Sequence, residues 1–189
     1  MPLNIPNLLT WLRIVLIPLF VAILYVPGEW LSEQAANISA TSIFVAAAIT
    51  DWLDGYLARK LNQQSAFGAF LDPVADKLMV AAALIVLVGF DRLDATIAFI
   101  IIGREITISA LREWMAKLGE SRSVAVSFIG KLKTAAQMVA IPFLLYYNQI
   151  GIVDCRLVGT WLIWLAAVLT LWSMVYYLKM ALPRARLND

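Results

Sequence analysis

Histidine is absent from this chain. That removes the side chain that most often serves as a general base near neutral pH and as a transition-metal ligand. Any acid–base chemistry must use carboxylates, lysine, tyrosine or metal-bound groups. Cysteine occurs once, at Cys155, which excludes an internal disulfide framework and a cysteine-based metal site. Charge is scarce too. Of the 189 residues, 15% are charged and 62% hydrophobic, where soluble domains run nearer a quarter charged and half apolar. A soluble fold of this size cannot hide so much apolar surface, so lipid must cover much of it. The net charge of +2 is too small to point to nucleic acid. A basic n-region before the first apolar stretch and a small-residue cleavage site after it are both missing, so that stretch reads as a retained span. With no repeat or low-complexity run, residues 1–189 read as one domain.

What the chain has in quantity is apolar runs of the length that crosses a bilayer, about 20 residues each. About six are visible: Ile5–Val26, Ala35–Leu61, Phe67–Phe90, Leu93–Ala116, Val126–Tyr147 and Arg156–Met180. Pro27-Gly28, Asn62-Gln63-Gln64-Ser65, Asp91-Arg92 and the stretch from Asn148 to Asp154 mark the breaks. Backbone polar groups in lipid must be satisfied within the segment, so helices are the expected form. The expected fold class is therefore all-α, a polytopic integral membrane protein with about six transmembrane helices. Of the 15 basic residues, only Arg92 and Arg156 would fall on one side of the membrane. That bias predicts cytoplasmic termini, in agreement with an even number of spans.

Acidic residues gather in one segment. Asp51, Asp54, Gly55 and Ala58 follow i, i+3, i+4, i+7 spacing and share one helix face; Gly68, Asp72 and Asp76 share a face of the next helix. A short turn between the two helices predicts antiparallel neighbours whose polar faces meet near the cytoplasmic boundary. One carboxylate at a bilayer centre costs about 2.5–3.5 kcal/mol even on the forgiving insertion scale, so four need cations. An oxygen-only donor set points to Mg²⁺ or Mn²⁺. Four carboxylates balance two divalent ions, the two-metal arrangement for displacement at phosphorus. Gly55, Ala58 and Gly68 remove bulk beside the acids and let a planar group or a phosphate approach the backbone. Taken alone, such small residues more often mark close helix packing. Buried acids also line ion or proton paths, so a transporter of ions or metals is a reading from another class. A transporter needs a polar path to both faces, whereas these acids and cations cluster on the cytoplasmic half.

The segment Asp51–Asp76 matches D-x2-D-G-x2-A-R-x8-G-x3-D-x3-D without a departure, and Asn7, Thr10 and Arg13 sit in N-x2-T-x2-R. On these motifs the chain resembles the CDP-alcohol phosphatidyltransferase family. The run R-E-I-T-I-S-A-L-R-E-W from Arg104 to Trp114, then S-V-A-V-S, G-K-L-K-T and A-A-Q-M-V-A, is similar to its bacterial members that use a phosphorylated glycerol acceptor. The resemblance implies transfer of a phosphatidyl group from CDP-diacylglycerol to sn-glycerol 3-phosphate, in phosphatidylglycerol biosynthesis. It implies an active site on the cytoplasmic face of a bacterial inner membrane, and a homodimer. By the same resemblance, Asp51, Asp54, Asp72 and Asp76 bind the metals and Asp76 also takes the acceptor's proton. Gly55, Ala58 and Gly68 make room for the cytidine, Arg59 holds the diphosphate, and Asn7 and Thr10 line the nucleotide side.

An acceptor carrying its own phosphate needs cations. Arg104, Arg112, Arg122, Lys131 and Lys133 supply them, and Thr134 can add a hydroxyl. Arg112 and Lys131 are the first choices for that phosphate. Arg104, Arg122 and Lys133 serve equally well as positive-inside residues or as contacts to anionic head groups. Within the family, serine, inositol or inositol phosphate are the alternative acceptors.

Overall fold

The computed structural model describes residues 5–60, 66–117 and 128–185. Six helices fill them: α1 (Ile5–Leu24), α2 (Glu33–Lys60), α3 (Ala66–Gly89), α4 (Ala95–Lys117), α5 (Phe128–Tyr146) and α6 (Cys155–Ala185). A two-residue antiparallel hairpin, β1 (Gln149–Ile150) and β2 (Val153–Asp154), joins α5 to α6. The expected all-α class holds, and among the described residues the tiny hairpin is the one addition.

Local chemistry explains the helix starts. The Ala35 N–H donates to Ser32 Oγ at 3.3 Å at the head of α2. The Thr96 N–H donates to Asp94 Oδ1 at 2.7 Å at the head of α4. Asp154 Oδ1 accepts from the Arg156 and Leu157 N–H groups at 3.0 and 3.3 Å at the head of α6. Each supplies an acceptor to a first-turn amide that has no intrahelical partner. Gly151, with φ of 60°, takes the left-handed position that the hairpin turn requires.

The helices pack around one main core that includes Phe20, Phe44, Leu84, Leu87, Ile101, Ile141 and Leu144. The most extensive pairing is α5 on α6. Gly159 permits it: a Cβ there would lie 2.8 Å from Leu144 Cγ and 3.1 Å from the Leu144 backbone nitrogen. Among the described residues α2 and α3 touch one another only sparingly. Instead α1 packs against both.

At the far end of the bundle Arg92 ties three elements together. Its side chain is 5% exposed. The guanidinium donates to Asn37 Oδ1 of α2 at 3.0 Å and to the Leu145 carbonyl of α5 at 2.9 Å. It reaches Glu33 at 3.2 Å and lies over the Phe90 and Tyr147 rings, 5.5 and 4.5 Å from their centroids. Burial lowers its pKa from the ordinary value, and Glu33 and Tyr147 oppose that shift.

Many large apolar side chains lie on the outside of the bundle. Leu19, Ile85, Phe99, Trp161 and Trp172 all point outward and are more than half exposed. Among the described residues, one helical segment, Cys155–Tyr176, is both long and apolar enough to cross a membrane on its own, and Leu8–Leu24 and Leu132–Tyr146 are shorter apolar stretches. The charged motif residues of α2, α3 and α4 interrupt the apolar runs there.

Candidate active site

α1 carries two polar side chains into the bundle, and each meets an acid of the expected site. Thr10 Oγ1 donates to Asp72 Oδ1 at 2.5 Å. The Arg13 guanidinium, 1% exposed, donates to Asp51 Oδ1 at 2.5 Å. The spacing N-x2-T-x2-R makes this possible, because positions three apart lie on one helix face.

Beside these pairs is a cavity of about 440 Å³. Asp51 enters from α2, Asp76 and Lys77 from α3, Glu105 from α4, and Thr134 and Gln137 from α5, over an apolar floor that includes Val80 and Ile101. The site carboxylates are not isolated charges: Asp51, Glu105, Arg13 and Lys77 all act electrostatically on Asp76. Lys77 Nζ donates to Ser109 Oγ, which in turn donates to the Glu105 carbonyl at 2.6 Å. Three acids and one lysine thus line one cavity.

Not every expected residue joins it. Asp72 is held on the α1 side by Thr10, and Gly68 is buried in α3. Arg104 and Lys133 are committed elsewhere. Lys133, buried, donates to Glu105, and Arg104 contacts Glu105 at 3.3 Å and Ser173 of α6 at 3.2 Å. Both cations therefore balance a carboxylate of the cavity. Arg112 is exposed on α4 and does not line the cavity. Thr134 lines it, but its hydroxyl donates back to the Gly130 carbonyl at 3.0 Å. The side chains of Asn7, Asp54, Gly55, Ala58, Arg59 and Lys131 lie outside the described residues, as does all of Arg122.

Glu105 and Gln137 line the cavity without being among the site residues expected from the sequence motifs, whereas Arg13 falls within a motif and Lys77 is a cation beside the acids, each without an expected contact. Glu105 carried a usable signal, an acid inside an apolar run. Gln137 carried none, because a single amide in an apolar helix has no partner visible by spacing.

The donor chemistry fits a hard divalent ion. Asp51 and Asp76 present carboxylates to one cavity, and a carboxylate bonded through one oxygen keeps the other oxygen and further lone pairs for a ligand. Among the described residues, no three acids form a ready metal-binding cluster. Asp54, the fourth expected ligand, has its side chain outside them.

The family profile of CDP-alcohol phosphatidyltransferases matches residues 3–172, and the chain belongs to that family. Its curated relatives include proteins named CDP-diacylglycerol–glycerol-3-phosphate 3-phosphatidyltransferase. One from Shigella flexneri serotype 5b (strain 8401) is 52% identical and one from Escherichia coli (strain K12) 51%, each over 191 aligned positions and the whole length of both chains.

Proposed function

We infer that the protein transfers a phosphatidyl group from CDP-diacylglycerol to sn-glycerol 3-phosphate, releasing CMP and phosphatidylglycerophosphate. Full-length identity of 51–52% to relatives of that name carries the reading. The cavity that gathers Asp51 and Asp76 of the family motif supports its location.

Asp51, Asp54, Asp72 and Asp76 would hold the metal, Mg²⁺ or Mn²⁺, with two ions favoured by charge balance. Bound there, the ions neutralise charge on the donor's diphosphate. The chain's own residues do the rest. Arg13 and Thr10 fix the orientation of Asp51 and Asp72. Asp76 takes the proton from the acceptor hydroxyl as that oxygen attacks the β-phosphorus. The bond from phosphorus to the oxygen of CMP breaks in line, and CMP leaves with the electron pair. Gly55, Ala58, Gly68, Asn7 and Thr10 form the nucleotide side, with Arg59 on the diphosphate. Arg112 and Lys131 receive the acceptor phosphate, with Arg122 beside them. Arg104, Lys133 and Thr134 act at this side of the cavity. In this structure Arg104 and Lys133 serve Glu105, so their part in acceptor binding is indirect.

The setting is a bacterial inner membrane. One domain of six helices crosses it, both termini and the site face the cytoplasm, and the protein works as a homodimer. The outward apolar side chains support lipid contact, and the donor is itself half lipid, so its tails stay in the bilayer while its head enters the cavity.

The test is CMP release by the purified protein from CDP-diacylglycerol, with and without Mg²⁺ or Mn²⁺, across glycerol 3-phosphate, serine, inositol and inositol phosphate. Metal-dependent release with glycerol 3-phosphate alone is expected. Release with another acceptor, or ion flux in liposomes without CMP release, refutes the reading. Inversion at a chiral β-phosphorus is the expected stereochemistry, and retention rules out direct displacement.

A further inference from the structure

Gln137 stands out among the cavity residues. It is 4% exposed, and its Oε1 has no hydrogen-bond partner among the described residues. It nonetheless lines the cavity that contains Asp76 and Glu105. Buried polar groups in native structures are nearly always paired, and those that are not call for an explanation. Its apolar cavity neighbours Ile101, Ile102, Val80 and Met138 offer no donor, and the donors in the same lining, Lys77 Nζ and Thr134 Oγ1, bond Ser109 Oγ and the Gly130 carbonyl instead. One turn earlier on the same face of α5, Lys133 satisfies its ammonium on Glu105. Gln137 Oε1 has no such partner among the described residues, although the residue lines the cavity.

A ligand that enters the cavity can supply the missing partner. Gln137 stands on α5, three residues beyond Thr134, on the side assigned to the acceptor and away from α1, which carries the nucleotide residues. A carboxamide offers an acceptor oxygen and two N–H donors, and a hydroxyl can both donate and accept, so either end of the amide suits a hydroxyl. Glycerol 3-phosphate has two hydroxyls. One attacks phosphorus, and the other is free.

We propose that Gln137 is a specificity-determining residue whose carboxamide hydrogen-bonds the non-reacting hydroxyl of the acceptor. This rests on the reading of glycerol 3-phosphate as acceptor. A site built to hold a hydroxyl discriminates against a ligand lacking it, because its own polar group is then left unpaired.

The experiment compares glycerol 3-phosphate with 3-hydroxypropyl phosphate, which lacks only the middle hydroxyl, in the parent protein and in Gln137→Leu. Gln137→Met is a second apolar variant of similar size. The parent is expected to favour glycerol 3-phosphate. In Gln137→Leu its KM rises about tenfold, the loss of one buried hydrogen bond, while the KM values for the deoxy acceptor and for CDP-diacylglycerol stay within about twofold. Thermal stability is unchanged or higher, since an unpaired buried amide has been removed; a purely structural glutamine would lower it. Equal losses on both acceptors, unchanged KM for both, or a raised donor KM overturns the assignment. A parent protein that does not turn over glycerol 3-phosphate overturns the reading beneath it, and the assignment with it.

Discussion

Arg92→Met tests the tie at the end of the bundle opposite the candidate site. Methionine keeps an apolar stem of similar length and deletes the charged fork. Two hydrogen bonds from a buried charged donor are lost, those to Asn37 Oδ1 and the Leu145 carbonyl, at about 1.5–3 kcal/mol each. The Glu33 contact adds little, because that carboxylate is 81% exposed and exposed pairs contribute roughly 0–1 kcal/mol. Stacking over Tyr147, 4.5 Å from the centroid, adds about 1 kcal/mol. Relief of a buried charge returns some of this. The net loss is about 3 kcal/mol, a fall in Tm of roughly 6–12 °C for a chain of this size. Arg92→Lys keeps the charge and reaches one of the two acceptors, so it loses about half as much. The assay is thermal unfolding in detergent, with Asn37→Ala combined to measure coupling. Below the transition, CMP release per folded molecule should match the parent, because the site is at the other end. An Arg92→Met protein that melts with the parent, or a zero coupling to Asn37, refutes the reasoning.

Other substitutions probe packing and the site. Gly159→Ala adds a methyl 2.8 Å from Leu144 Cγ and 3.1 Å from its backbone nitrogen; overpacking of about 1–3 kcal/mol outweighs a helix gain of about 1 kcal/mol. It should lower Tm, and the drop should be smaller in a Leu144→Ala background than in the parent; an unchanged Tm contradicts the close approach of α5 and α6. Lys133→Met leaves Glu105 without its main partner and should destabilise by about 2–3 kcal/mol, which Glu105→Leu in the same chain should largely reverse in a thermal melt. Asp76→Asn should lower kcat at least a hundredfold with Tm near the parent value, and retained turnover would remove it as the base. Arg112→Ala should raise the glycerol 3-phosphate KM far more than that of CDP-diacylglycerol; an unchanged acceptor KM takes it out of the pocket.

Helix positions were legible because the breaks are chemically marked. Pro27-Gly28 and Asp91-Arg92 cannot continue an apolar helix, and most observed boundaries fall within about two residues of the apolar runs. α6 runs further than expected, to Ala185, because Lys179 and Arg184 are ordinary helix residues even where they end a hydrophobic run. Asp51 and Asp76 were legible as cavity residues from motif spacing. The contacts of α1 were not. Thr10 and Asp72 are 62 positions apart and Arg13 and Asp51 38, and periodicity reports only which face a residue is on, never which helix that face meets. For the same reason the sequence leaves Arg104 and Lys133 open between phosphate binding and positive-inside roles, and does not show that Glu105 contacts them both.

The order of residues along the chain adds a consequence for how the protein is made. Thr10 and Arg13 are synthesised before the carboxylates they hold, Asp51 and Asp72. Each acid therefore emerges from the ribosome after its partner already exists. Delivered in the reverse order, the acids would wait unneutralised in an apolar setting while the rest of the chain was built. Moving α1 to the C-terminus by circular permutation would deliver the acids first and remove that protection during assembly. Yield of folded protein, rather than its final stability, is where the difference should register.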